Sequence, residues 1–174
     1  MANILLLVAQ DGFQTMEYGE PKRILEAAGH HVVTGATEAG TARSNVGEEV
    51  IVDMPLRDAH AQDFDAVFAI GGPGALKHLD NAETARIMTE AKEGNKFYGA
   101  ICVSPRILAK AGVLSDVHAT GWNGDGKLES IYMNAGVIYD KLPVVIDGKV
   151  VTADGPLSAS GFGEAIKNLL AKTE

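Results

Sequence analysis

Tyr98-Gly99-Ala100-Ile101-Cys102-Val103-Ser104-Pro105 decides how this chain is read: an apolar, strand-like run stops at the only cysteine and gives way to a helix-like segment. A strand that turns sharply into a helix at a nucleophilic residue is a nucleophile elbow, which lifts the side chain clear of the sheet edge. The helix that follows is expected to aim its first free N–H groups at the sulfur. Positive partial charge there favours thiolate, the reactive form. The plainer alternative is that Cys102 is a small buried hydrophobe, as most free cysteines are.

Working outward, Ile4-Leu5-Leu6-Leu7-Val8-Ala9 reads as a buried central strand. It is too short to cross a bilayer and lacks the basic flank of a signal peptide. Gln10-Asp11-Gly12-Phe13 is a turn signal, and Pro21, Ile24, Leu25 and Ala28 then mark one face of a helix that Gly29 ends. His30 to Thr34 returns as a strand, so the chain begins β-α-β and predicts a mostly parallel sheet covered by helices on both faces. Gly35 to Gly47 reads as a loop or weak edge, Glu49 to Asp53 as a short strand, and Asp65 to Ile70 as a strong strand running into Gly71-Gly72-Pro73-Gly74. Ala82 to Lys92 is a surface helix, Val117 to Thr120 a further strand, and Gly121 to Gly126 a loop carrying the lone tryptophan, Trp122. Asp147-Gly148 between two β-branched runs predicts a hairpin. A closing helix buries Phe162, Ala165, Ile166, Leu169 and Leu170.

The chain has 174 residues, 46% of them hydrophobic and 22% charged, which suits one α/β domain over 1–174 with a sizeable core. A net charge of −8, with 15 scattered Lys and Arg, argues against a nucleic-acid partner. A single cysteine excludes an internal disulfide framework and fits a reducing compartment. A cytoplasmic protein with no membrane partner is expected.

Gly71-Gly72-Pro73-Gly74 lacks both the spacing of a dinucleotide fingerprint and the Lys-Ser/Thr of a P-loop. It can still offer N–H donors at the carboxyl end of the sheet, where α/β folds place ligands. Glu17, at the start of the first helix, is expected at the same edge. Beside a thiolate it would have to be protonated, donating its O–H to sulfur; otherwise it is a helix-start carboxylate favoured by the dipole. Of five histidines only His118 lies near this edge, as a possible pocket residue with Gly71 and Trp122. His30-His31 does not make a metal site, because adjacent strand residues face opposite ways and no ligand set completes them. No metal and no cofactor is expected.

Several short motifs taken together resemble the ThiJ/PfpI superfamily over nearly the whole chain. They are Asp11-Gly12-Phe13 with Glu17 and Pro21, Ala27-Ala28-Gly29-His30, Gly71-Gly72, Ala100-Ile101-Cys102 with Pro105, Asn134-Ala135-Gly136 and Asp154-Gly155-Pro156. The resemblance implies a flavodoxin-like three-layer α/β sandwich with Cys102 as nucleophile and Glu17 as its protonated partner. It also implies Gly72 and Val103 N–H groups as an oxyanion hole, and a homodimer or higher homo-oligomer. Activities in that superfamily include peptidase or amidase, glyoxalase and deglycase action, chaperone activity and oxidative-stress sensing. Protease-type members carry His after the cysteine and Glu beyond the glycine loop, where this chain has Val103 and Leu76. Deglycase-type members place a later histidine at a position that aligns with Gly121.

Three readings follow. Cys102 attacks a small electrophilic carbonyl compound, as a glyoxalase or deglycase does, or acts in an isocyanide-hydratase-like variant. Alternatively, Cys102 is a non-enzymatic oxidation sensor in a stress-protective protein. In the third, the fold survives with a decayed site. Peptidase or amidase action is the reading that Val103 and Leu76 disfavour.

Overall fold

β1 (Asn3–Leu7) is buried on both faces from Ile4 onward, which is why its sequence is continuous hydrocarbon. Ile4 and Leu6 enter one core layer and Leu5 and Leu7 the other, as strand alternation requires. The computed structural model describes residues 1–172; the last two residues of the expected 1–174 domain lie outside the described residues.

The chain passes through β2 (Asp11–Phe13), where the sequence predicts only a turn, into α1 (Thr15–Ala27). Gln14 caps α1: its Oε1 accepts the Glu17 N–H at 2.8 Å. Tyr18, Pro21, Ile24 and Leu25 are buried, but Ala28, expected on that face, is the exposed C-cap. β3 (His31–Ala36) then runs parallel to β1, Ile4 opposite Val32.

β4 (Gly40–Ser44) replaces the loop or weak edge expected over 35–47 with a paired strand, and β5 (Glu49–Val52) is the short strand expected at 49–53. They pair antiparallel, and β2 joins β4 in a small three-stranded sheet. Only Ala42 and Ser44 of β4 are buried, so pairing rather than apolar pattern makes this strand.

β6 (Met54–Pro55), β7 (Ala66–Ala69), α2 (Ala75–Leu79), α3 (Ala82–Glu93) and β8 (Phe97–Ile101) lead to the elbow and α4 (Pro105–Lys110). β9 (His118–Ala119), α5 (Leu128–Asn134) and β10 (Ile138–Tyr139) follow. The chain closes with β11 (Val144–Asp147), β12 (Val150–Ala153) and α6 (Ala159–Ala171). In the β11–β12 hairpin Asp147 is itself paired with Val150, so the turn residues are Gly148 and Lys149, one later than the Asp-Gly reading places them.

The main sheet has the order β11-β12-β8-β7-β1-β3-β6, parallel throughout except for β11 against β12. α1 and α6 cover one face, where Phe68 meets Phe162 edge-on at 5.5 Å. α3, α4 and α5 cover the other with Ile87, Met88, Leu108 and Tyr132. Because β1, β7 and β8 are parallel neighbours, the segments that follow them emerge at one edge, where parallel sheets bind ligands. Among the described residues no helix is long and apolar enough to cross a membrane.

Candidate active site

Cys102 stands one residue past β8 with φ +64°. Left-handed backbone at a residue with a Cβ costs about 1–2 kcal/mol and persists only where the surroundings enforce it. Here the Cys102 N–H donates to Ala153 O at 2.9 Å, and its carbonyl accepts the Trp122 N–H at 2.7 Å. Two residues on, the buried Ser104 hydroxyl donates to Ile70 O at 2.7 Å, tying the elbow to the end of β7. The turn is therefore bolted to three neighbouring segments, and the sulfur is the part left facing the cavity.

The glycine loop meets it from the side. A Cβ on Gly71 would lie 2.5 Å from Glu17 Oε2 and 2.6 Å from Cys102 Cβ, so only glycine lets the carboxyl and the thiol share this space. Gly72 has φ +128°, and a side chain there would collide with the Gly12 carbonyl. Its N–H and that of Val103 face the sulfur. Val103 belongs to the turn before α4, so these donors come from the elbow and the glycine loop. The expectation that α4 itself supplies them is corrected: α4 begins only at Pro105.

Glu17 is fully buried in the first turn of α1. Neither carboxyl oxygen meets a hydrogen-bond partner at ordinary geometry. Burial pushes its pKa up to about 7; the Cys102 thiol and the Gly71 N–H pull weakly the other way. The Cys102 thiol is itself pushed up, first by burial, then by the Glu17 charge and its hydrogen bond, against the Val103 and Gly72 N–H groups. Both groups are thus pushed toward their neutral forms, and the thiol and the carboxyl compete for a single negative charge.

A cavity of about 390 Å³ opens over this pair, and its lining includes Gln14, Pro73, Leu76, Trp122 and Pro156. Cys102, Glu17, Gly72, Val103 and Trp122 thus meet in one place, with Gly71 directly behind them. The order of parallel strands accounts for the meeting; no local motif would bring Glu17 and Trp122 within reach of residue 102.

Residues 2–169 match the sequence profile of the DJ-1/PfpI family. The chain belongs to the DJ-1/PfpI family. General stress protein 18 of Bacillus subtilis strain 168 is 32% identical over 167 residues, 92% of this chain and 93% of that protein. Deglycase PfpI of Pyrococcus furiosus is 28% identical over 152 residues, 87% of this chain and 90% of that one. The crystal structure of a ThiJ/PfpI domain protein from Brachyspira murdochii superposes with a TM-score of 0.92 at 30% identity, covering 98% of this chain and 96% of that one. The α/β fold with its mostly parallel sheet is therefore the fold of DJ-1/PfpI proteins.

Within this DJ-1/PfpI chain, His118 does not join the site. It is half-exposed on β9, its Nδ1 lies 3.0 Å from Asp140 Oδ2, and it does not line the cavity. The two-residue strand pairs with β10, and the His118 side chain is exposed and tied to Asp140. Sequence reading also missed Gln14, which is outside the usual set of capping residues, and the buried Arg106. Arg106 grips Asp125 through two bonds of 2.9 and 2.7 Å and donates to Trp122 O at 3.0 Å. A helical arginine four residues past a cysteine carries no signal, since its partner lies 19 residues on in an irregular loop. Among the described residues no group of three or more His, Cys, Asp or Glu side chains is placed to hold a metal.

Proposed function

We propose that this DJ-1/PfpI protein converts small, electrophilic carbonyl compounds through a Cys102 nucleophile, in the manner of a glyoxalase or deglycase. The observation that carries the reading is Glu17, a fully buried carboxyl beside the sulfur with no cation against it among the described residues, its pKa raised by burial to about 7. A proton carrier is most effective when its pKa is near the working pH. The relative from Pyrococcus furiosus that bears the name deglycase adds support.

In this reading Sγ attacks the aldehyde carbon of a dicarbonyl such as methylglyoxal, forming the S–C bond as the C=O π bond opens. The thiol proton passes to Glu17 during attack, so no free thiolate has to accumulate. The alkoxide is held by the Gly72 and Val103 N–H groups, each such donor contributing about 3 kcal/mol, and is then protonated by Glu17. From that thiohemiacetal, Glu17 removes the C–H proton and returns it to the adjacent carbon, while the hydroxyl proton passes from the first oxygen to the neighbouring carbonyl oxygen through the enediol. The thioester so formed is hydrolysed by water to the 2-hydroxy acid, with no external oxidant or reductant. An amide offers a poorer electrophile and a leaving amine that must be protonated, and among the described residues no histidine lines the cavity to assist. Dicarbonyls fit this site better than peptides.

Methylglyoxal consumption by wild type, Cys102→Ser and Glu17→Gln tests the reading. Consumption is expected to fall to background in the first variant and by about a hundredfold or more in the second. In the wild type kcat/KM should rise with pH through about 7 as Glu17 ionises. Equal consumption by wild type and Cys102→Ser overturns the proposal. Selective oxidation of Cys102 at low peroxide without turnover, followed by intact mass, would favour the sensor reading instead.

A further inference from the structure

Trp122 is the only tryptophan of the chain, and unusual effort goes into holding it. Its backbone N–H donates to the Cys102 carbonyl at 2.7 Å, and its backbone carbonyl accepts from Arg106 at 3.0 Å. The Arg106 guanidinium also lies 5.3 Å from the indole centroid, within range of a cation–π contact. Arg106 is in turn fixed by its two-pronged pairing with Asp125, whose Oδ1 also accepts the Lys127 N–H at 3.1 Å. A fork bound at both tips locks the guanidinium in place, and with it the cation that faces the indole ring.

The chemistry of the cavity gives this arrangement a purpose. Pro73, Leu76, Val103, Trp122 and Pro156 present hydrocarbon, and Gln14 is the neutral polar residue. The Gln14 oxygen is committed to the Glu17 N–H, which leaves its amide NH2 for a ligand. Among the described residues no lysine, arginine or histidine lines the cavity, and the nearby cation, Arg106, has its charge matched by Asp125. An anionic substrate would meet Glu17 with neutral N–H donors but, among the described residues, no cation in the lining to offset the repulsion.

We infer that Arg106 and Asp125 are positioning residues that hold Trp122 as an apolar wall over Cys102, and that this wall selects uncharged electrophiles over anionic ones. The inference rests on the nucleophile reading of Cys102 and names the substrate class of that site: small neutral carbonyl compounds rather than 2-oxo acids.

Alkylation of the single cysteine tests the inference without any natural substrate. Iodoacetamide and iodoacetate both form an S–C bond with loss of iodide and of the thiol proton, and they differ chiefly in charge. In the folded wild type the rate ratio, amide over acid, is expected to exceed that of the same chain unfolded in urea by about tenfold or more. Trp122→Ala admits water to the wall and should bring the ratio back toward the unfolded value. Asp125→Asn leaves Arg106 uncompensated and should shift it further toward iodoacetate. Arg106→Lys keeps the charge but loses the fork, so acrylamide quenching of Trp122 emission should rise, as it should in Asp125→Asn.

A wild-type ratio in both Trp122→Ala and Asp125→Asn overturns the selection, and unchanged quenching in both Arg106→Lys and Asp125→Asn overturns the clamp. Should Arg106→Lys fail to fold, Asp125→Asn alone decides the clamp, since Asp125 is partly exposed. Loss of the alkylation preference in the variants together with no methylglyoxal turnover by wild type would reject the dicarbonyl reading and leave the wall standing.

Discussion

Two acids, Glu17 in the lining of the cavity and Asp125 outside it on the arginine that holds Trp122, are treated in opposite ways. Asp125 is partly exposed and gripped by Arg106, which holds its carboxyl well below the usual carboxylate range. Glu17 is fully buried, meets no cation, and is pushed up to about 7. An acid with a matched cation is locked in one charge state and can serve only as a strut. An acid left without one stays able to gain and lose a proton at neutral pH, at a cost in stability that the rest of the core must absorb.

The largest effect that could break this contrast is the pH dependence of stability. Glu17 ionises near 4.5 when unfolded and near 7 when folded, so between those values the folded state binds more protons. Stability therefore falls as pH rises across that window, by about 3 kcal/mol in all. Glu17→Gln cannot ionise, so urea midpoints measured over the same range should lose this slope, and the variant should be the more stable protein above neutrality. A slope that survives the substitution would mean that Glu17 is not its source.

Gly71→Ala comes next. Its methyl would sit 2.5 Å from Glu17 Oε2 and 2.6 Å from Cys102 Cβ, and overpacking of this kind costs about 2 kcal/mol. Thermal denaturation should show the loss, and iodoacetamide labelling of Cys102 should change with it. Arg106→Met should lower the unfolding midpoint by less, because Asp125 can turn to water while the Trp122 carbonyl loses its donor. Asp125→Asn should be felt least and in the opposite pH range. The depressed pKa of Asp125 makes its contribution complete above the ordinary value of 3.8 and lost as pH falls through the folded value. Acid titration of the unfolding midpoint should show this loss in wild type and not in the variant, and added salt should shrink it.

Much of the parallel sheet is legible in Ile4-Leu5-Leu6-Leu7 and Asp65 to Ile70, because a strand buried on both faces must be continuously apolar. β4 is not legible: Gly40 to Ser44 offers two buried side chains, and its strand exists because β5 and β2 pair with it. The grouping of Cys102, Glu17 and the glycine loop is expected from topology, whereas His118 is misplaced because a two-residue strand does not determine which way its side chains face.

Residue types and hydrophobic periods by themselves determined the α/β class, the elbow at Cys102 and the absence of histidine at Val103, since each is a property of adjacent residues. Tertiary structure alone decided the protonation of the site and its wall. Whether a thiol is ionised depends on burial and on which charges lie across space, and the placing of Trp122 depends on an arginine and an aspartate that only the fold brings together.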